Sequence, residues 1–181
     1  MPFTDLMIYF DFQPAAGELP GAALHALVFA FIHADAPHLL LEIEQPPASE
    51  RFVGAWCGHR LALVAGVSAT DVEGEEIADF LPLVSRARSC QAIGVVVAPK
   101  LDMGARIAFE AEGARALDRS DLLRAVGIWD PSKQRAGIDA FAYFVRRHAR
   151  DPALLSRFVE YQQEAAERLE EMRAPGGYVP F

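Results

Sequence analysis

The chain has 181 residues, of which 52% are apolar, and a formal net charge of −8. This length and apolar content suit one globular domain, alone or with an appendage, and argue against intrinsic disorder. No apolar run reaches the roughly 18 residues that span a bilayer, and Met1 to Asp11 lacks the basic segment of a secretory signal. We therefore expect no membrane association and a cytoplasmic location.

The first 67 residues predict two strands around a helix, followed by a hairpin. The apolar run Leu6 to Phe12 is typical of a buried strand. Pro20 opens a helix over residues 20–34, which follows the 3.6-residue period until Pro37 stops it. Residues 38–44 form a strand or a further helical turn. Residues 51–57 and 60–67 form a hairpin whose turn is Gly58-His59.

The central part of the chain predicts a buried strand-helix-strand-helix run from Ile93 to Val126. A helix over residues 75–88 precedes it, in which Pro82 causes an irregularity. The β-branched run at 93–98 indicates a strand covered on both faces. Asp102 and Ser120 can cap the two following helices, and the short segment 114–117 fits a second, parallel strand.

From Pro131 onward the pattern is helical only. One helix precedes Asp151-Pro152, which caps a second helix that ends at Pro175-Gly176-Gly177. We therefore predict an α/β fold with a mixed central sheet, flanking helices and a C-terminal helical pair. Its expected domains are residues 1–130 and a helical extension, 131–181, packed on them.

Cofactor motifs are missing from the sequence. It contains no GxGxxG, phosphate loop, GxSxG elbow or HExxH, so we expect no cofactor and no metal site. Cys57 and Cys90 are too few for a disulfide framework and are expected to be free, partly buried thiols. Cys57 and His59 share one turn, but sequence alone does not give this thiol a base.

A group of titratable residues lies near the end of the first predicted helix. His33, Asp35 and His38 fall within six positions, with Glu42 and Glu44 close behind, so acid-base or metal chemistry is conceivable there. The alternative is that the histidines cap helix carbonyls and that the two glutamates are solvated on one strand face. His25, among apolar neighbours, fits the core.

Two further sets of residues are candidates for binding. Lys100 and Asp102 follow a buried parallel strand, where open sheets bind ligands, although Asp102 is also explained as a helix cap. The basic set Arg146, Arg147 and Arg150 could contact nucleic acid, or could simply favour the dipole of a helix end. The acidic balance of residues 1–130, with nine Lys and Arg against 18 Asp and Glu, opposes nucleic-acid binding.

The predicted order α-β-β-β-α-β-α-β over residues 20–123 resembles the restriction-endonuclease-like, or PD-(D/E)xK, family. The stretch Ala92 to Leu123 is similar to the end of many such nuclease domains. The resemblance implies a magnesium site formed by an acidic residue on the second strand and Glu-x-Lys on the third. Here those positions are Phe52-Val53-Gly54-Ala55 and Leu63-Val64-Ala65-Gly66-Val67, which have no oxygen ligands for the metal. The resemblance thus implies a nuclease fold without nuclease chemistry.

Residues 6–98 can also be parsed as β-α-β-β-α-β. In this form, and especially from Leu19 to Pro46, they resemble the N-terminal ferredoxin-like domain of CRISPR repeat-processing endoribonucleases. That resemblance implies metal-independent RNA cleavage by His33 or His38. The glycine-rich loop of that family is absent, since only Gly176-Gly177 is available.

The leading hypothesis is a non-catalytic, nuclease-derived interaction module in a nucleic-acid defence or processing system. It would act through a protein partner or as a homodimer, because the catalytic positions are vacant and the C-terminal helices are amphipathic. The alternatives are a metal-independent endoribonuclease that uses His33 or His38 and a small-ligand sensor that uses Lys100.

Overall fold

The computed structural model describes residues 2–10, 17–19, 21–44, 51–148 and 151–173. In chain order these residues form α1 (Phe3–Phe10), α2 (Ala22–Asp35), β1 (Leu40–Glu44), β2 (Arg51–Cys57), β3 (Arg60–Val67), a 3₁₀ helix (Gly74–Phe80), α3 (Leu81–Ser89), β4 (Ile93–Val97), α4 (Met103–Ala111), β5 (Arg115–Leu117), α5 (Arg119–Val126), α6 (Pro131–Arg147) and α7 (Pro152–Arg173). No described helix combines the length and apolar character of a membrane span.

The five strands form one mixed sheet in the order β1-β2-β3-β4-β5. β1, β2 and β3 are antiparallel neighbours, whereas β3, β4 and β5 are parallel. Gly58 makes the predicted hairpin turn with a φ of 60°, a conformation that glycine adopts at little cost. The predicted α/β class and the order α-β-β-β-α-β-α-β are confirmed, and residues 40–44 are a strand.

The sheet has an apolar core on each face. Val53, Ala65 and Val97 point to the larger core, which contains α1, α2, α5, α6 and α7. Val64 and Val96 point to a second core with α3, α4 and the 3₁₀ helix. The β-branched run of β4 is therefore covered on both faces, as predicted.

Residues 3–10 form a helix, so the strand predicted over Leu6 to Phe12 is wrong as far as Phe10, and Asp11 and Phe12 lie outside the described residues. Phe3, Leu6, Met7 and Phe10 are buried, and their spacing of three and four residues is helical. The period becomes visible only when Phe3 is included in the pattern. Because the ferredoxin-like parse needs a first strand here, that parse is wrong as well.

The helix predicted over 75–88 is divided in two. A 3₁₀ helix ends at Phe80, and α3 begins at Leu81 with Pro82 in its first turn. Proline lacks an amide donor and collides with the carbonyl of the preceding turn, so it is tolerated only near a helix start. Pro82 therefore marks a boundary and not a mere irregularity.

Aspartates cap α4, α5 and α7. Asp102 Oδ1 accepts a hydrogen bond from the Ala105 amide at 2.6 Å, as predicted. For α5 the cap is Asp118 and not the predicted Ser120, because Asp118 and Asp121 exchange side-chain and backbone hydrogen bonds in a capping box. Asp151 caps α7 as predicted, accepting from the Ala153 amide at 3.1 Å.

The C-terminal helical pair, α6 and α7, joins the larger core. Phe144 of α6 lies with its ring centroid 4.8 Å from that of His25 and 5.0 Å from that of Phe29, both on α2. His25 is buried, as expected. The predicted positions Pro20, Arg150 and Pro175-Gly176-Gly177 lie outside the described residues.

Candidate functional site

A cleft of about 820 Å³ opens between α6 and α7. The N-terminal half of α6 forms one wall and the C-terminal half of α7 forms the other, while Pro2 and Trp129 lie at its end. Its lining residues are Pro2, Trp129, Pro131, Gln134, Arg135, Ile138, Asp139, Tyr161, Gln162, Ala165, Ala166 and Leu169.

The cleft exists because the N-terminal half of α6 packs against α1 and not against α7. Gln134 Oε1 accepts a hydrogen bond from the Phe3 amide at 2.7 Å. A Cβ on Gly137 would lie 2.9 Å from Cγ of Phe3, so this glycine allows the two helices to approach closely. Trp129 stacks on Phe3 with ring centroids 5.8 Å apart. At the other end of the pair, Phe141 and Phe158 hold α6 and α7 together, with centroids 5.4 Å apart.

One apolar stripe of α7 continues beyond the region that the other described residues bury. Its buried members recur every three or four residues and end at Ala165; they are Leu154, Phe158, Tyr161 and Ala165. The next two positions at the same helical phase are Leu169 and Met172, which are 38% and 48% exposed. Residues 166–173 are all exposed. A core-facing stripe therefore leaves the core at the mouth of the cleft.

Tyr161 brings a buried hydroxyl to this region. The side chain is 4% exposed, and its hydroxyl has no hydrogen-bond partner among the described residues. Burial, with a contribution from the Asp5 carboxylate, raises the pKa of Tyr161 to about 12. The phenol is therefore neutral at physiological pH.

The charged residues that line the cleft, Arg135 and Asp139, both lie on the α6 wall. Arg135 on the α6 rim is highly exposed, and its Nε lies 4.0 Å from Oδ2 of Asp139, which is a long distance for an ion pair. The end of α7 is mostly acidic, because residues 164–173 contain four glutamates and two arginines. The end of α7 therefore carries a net negative charge, whereas Arg135 on α6 is paired with Asp139.

The structure does not gather the titratable residues near the end of α2 into a site. His33 and His38 are both exposed, and the His33 ring is stacked parallel to Phe29 with centroids 6.4 Å apart. Asp35 forms an ion pair with Lys133 at 3.1 Å. Among the described residues, no three His, Cys, Asp or Glu side chains come together as a metal site; the Glu44 side chain lies outside them.

The candidates at the end of β4 lie where the sequence predicts them. Lys100 is exposed in the loop after β4, and its carbonyl accepts a hydrogen bond from the Val72 amide at 3.0 Å. The Asp102 carboxylate is engaged as the α4 cap. Cys57 and Cys90 are free, but both are exposed, so the prediction that they are partly buried is wrong.

Of the basic candidates, Arg146 and Arg147 are exposed near the end of α6. Arg146 donates to Gln162 Oε1 at 3.3 Å, and its guanidinium carbon lies 5.8 Å from the Phe158 ring centroid. Arg146 therefore contributes to the contact between α6 and α7. Arg150 lies outside the described residues.

The nuclease resemblance implies metal ligands within residues 52–55 and 63–67, and the residues there are apolar or glycine. Val53 on β2 and Ala65 on β3 are buried against the larger core. A divalent cation such as Mg²⁺ requires several oxygen ligands, and these two side chains have none.

No family model and no curated protein matches this chain. Among solved structures, the chain is similar to one in the structure of EndoMS in apo form, with 19% sequence identity and a TM-score of 0.45. The match covers 57% of this chain and 47% of that chain, so it spans about half of the EndoMS chain. The functional candidates therefore come from the chain's own residues.

The cleft itself was not predicted from the sequence. Leu169 and Met172 fit the apolar period of α7, but a periodic pattern does not show where the covering partner ends. The length of the apolar stripe of α7 was the available signal for uncovered residues. This stripe runs from Leu154 to Met172 and is much longer than the apolar face of α1, which packs in the same core. Trp129 and Arg135 gave no separate signal.

Proposed function

We propose that this chain is a non-catalytic interaction module that self-associates through the α6–α7 cleft. The observation that carries the proposal is the apolar stripe of α7, which continues beyond the last buried residue, Ala165, to the partly exposed Leu169 and Met172. Two helical turns with little tertiary packing gain little stability from propensity alone. A second molecule that covers this end of α7 would supply the missing packing.

A second copy fits the surface because cleft and uncovered helix end belong to the same molecule. In a two-fold contact the same patch is used twice, so the α7 end of each copy can cover the cleft of the other. Leu169 and Met172 of one copy would meet Trp129 and Ile138 of the partner copy. The acidic α7 end would then face Arg135 on the opposite rim.

We further propose that the module derives from a nuclease and has no hydrolytic activity. The order of elements from α2 to β5 supports this origin, and the apolar residues Val53 and Ala65 support the lack of hydrolytic activity. Purified protein is expected to cleave neither DNA nor RNA, with or without Mg²⁺. A role in nucleic-acid defence or processing would follow if the self-associated module recruits proteins of such a system.

The direct test is sedimentation equilibrium of the wild type and two double variants. Leu169→Glu/Met172→Glu places charges in the proposed contact and should change the mass from twice that of one chain to that of one chain. Leu155→Glu/Val159→Glu is the matched control, because these residues are comparably exposed on the same helix but do not line the cleft. A monomeric wild type, or equal loss of association in both variants, would overturn the proposal.

A further inference from the structure

The two edges of the sheet differ in how their backbone groups are used. At the β5 edge, Leu117 bonds inward, its carbonyl accepting from Ala98, so its neighbour Ala116 directs its carbonyl outward. Arg106 donates to this Ala116 carbonyl at 3.3 Å. The β5 edge is therefore closed by a side chain.

The β1 edge is open among the described residues. β1 pairs only with β2, and no described side chain or loop forms a hydrogen bond with its outer edge. Unpaired amides and carbonyls along a strand are a template for an added strand. β1 is five residues long, which is enough for several such bonds.

One face of β1 is also uncovered. Leu40 lies directly opposite Trp56 in the antiparallel register, so both side chains share the face of the second core. Trp56 packs against that core, but no residue of β1 belongs to it. Leu40 is 66% exposed as a result. Leu40 and Trp56 thus form an apolar shelf beside the open edge.

An acidic residue lies next to this shelf. Glu42 is on the same face as Leu40, two positions along the strand, and is exposed. No described side chain forms an ion pair with it. Pairing of β1 with a second β1 over all five residues would place Glu42 opposite Glu42, which is unfavourable. The charge therefore disfavours a second copy and favours a basic segment.

We infer that the β1 edge binds an extended segment of a different protein by strand addition. This segment carries Lys or Arg opposite Glu42 and an aliphatic or aromatic residue opposite Leu40. Its backbone completes the hydrogen bonds of β1, while the two side chains give specificity. The site is separate from the α6–α7 cleft, so a self-associated module could hold two such segments.

Fluorescence anisotropy with a labelled peptide tests this inference. The probe is Thr-Arg-Thr-Leu-Thr-Arg-Thr, whose palindromic sequence allows either strand direction, and the control replaces both Arg residues by Glu. The Arg peptide should bind saturably at concentrations below about 1 mM, and at least about fivefold more tightly than the Glu peptide. Absence of saturable binding would overturn the inference.

Variants of the protein locate the contact. Glu42→Lys should reverse the preference between the two peptides, whereas Glu110→Lys, an exposed carboxylate on α4, should leave it unchanged. N-methylation of one alternate set of peptide amides should weaken binding more than methylation of the other set, because only one set faces the edge in the preferred strand direction. Equal effects of the two protein variants, or of the two methylation patterns, would contradict strand addition. In sedimentation equilibrium, Glu42→Lys should have the same mass as the wild type. A change in peptide binding by this variant is then independent of self-association.

Discussion

Arg157 of α7 and Glu18 form an ion pair at 3.1 Å in which the Glu18 side chain is 1% exposed. The same guanidinium donates to the carbonyls of Tyr9 and Phe10 at 3.0 and 3.2 Å. It thereby caps α1 and joins three separate parts of the chain. The start of α7 is consequently fixed to the body of the molecule, in contrast with its end.

The first prediction concerns this ion pair. Arg157→Ala removes the ion pair of Arg157 with a buried carboxylate and should lower the free energy of unfolding by about 3–5 kcal/mol. The control is Arg168→Ala, which removes an exposed pair with Glu164 and should cost less than about 1 kcal/mol. Urea denaturation measures both. Equal losses would show that Glu18 and Arg157 do not hold α1 to α7.

A second prediction concerns the Arg106 cluster with Asp118 and Asp121. Burial opposes the charges, but hydrogen bonds with the Asp118 backbone and with Arg106 outweigh it and hold the pKa of Asp121 below its usual 3.8. A lowered folded-state pKa contributes stability that is complete above the unfolded value and is lost as the pH falls through the folded one. Asp121→Asn should therefore cost about 2 kcal/mol near pH 6 and progressively less below pH 3.8.

Thermal unfolding at several pH values checks this expectation. Asp139→Asn is the control, because Asp139 is highly exposed and forms a single pair at 4.0 Å. Its effect should be small at every pH. A cost of Asp121→Asn that stays constant down to acid pH would contradict a role for its charge.

A third prediction concerns the Tyr161 hydroxyl. Tyr161→Phe removes a buried group that has no partner among the described residues, so the free energy of unfolding should stay constant or rise by about 1 kcal/mol. The raised pKa means that ionisation of the phenol opposes the fold, so stability is unaffected by this group below pH 10 and is lost as the pH rises toward about 12. Tyr161→Phe should therefore lose less free energy of unfolding than the wild type as the pH rises from 10 toward about 12. A destabilised variant at pH 7 would reveal a hydrogen bond that the hydroxyl makes.

A fourth prediction concerns Gly137, which faces the Phe3 ring. Alanine is favoured over glycine inside a helix by about 1 kcal/mol, but its Cβ would lie 2.9 Å from Phe3 Cγ. Gly137→Ala should therefore destabilise the protein by about 1–3 kcal/mol. If the same substitution in a Phe3→Ala background is neutral or stabilising, the Phe3 contact explains the cost. Chemical denaturation of the single and double variants decides this.

The sequence predicts most of the fold because the deciding signals are local. The β4 run, the Gly58 turn and the Asp102 and Asp151 caps each act within a few residues. The errors arise where a distant contact decides. The helix α1 depends on Phe3 and on Gln134, which is far away in sequence, and the α5 cap is reinforced by Arg106.

The candidate site was less predictable for the same reason. The apolar stripe ending at Leu169 and Met172 follows from periodicity, but its lack of cover depends on where α6 diverges toward α1. That divergence rests on the Gly137 and Phe3 contact, which no pattern in the sequence shows. Likewise, the open edge at β1 depends on the strand order, which local patterns do not give.

Hydrogen exchange measured by mass spectrometry at increasing protein concentration tests the central claim most directly, because it locates the contact as well as detecting it. Amides of residues 166–173 should exchange slowly at high concentration and rapidly on dilution, while those of α5 should not change. Leu169→Glu/Met172→Glu should abolish the concentration dependence, and Leu155→Glu/Val159→Glu should retain it. Exchange at residues 166–173 that is independent of concentration in the wild type would contradict self-association through the α6–α7 cleft.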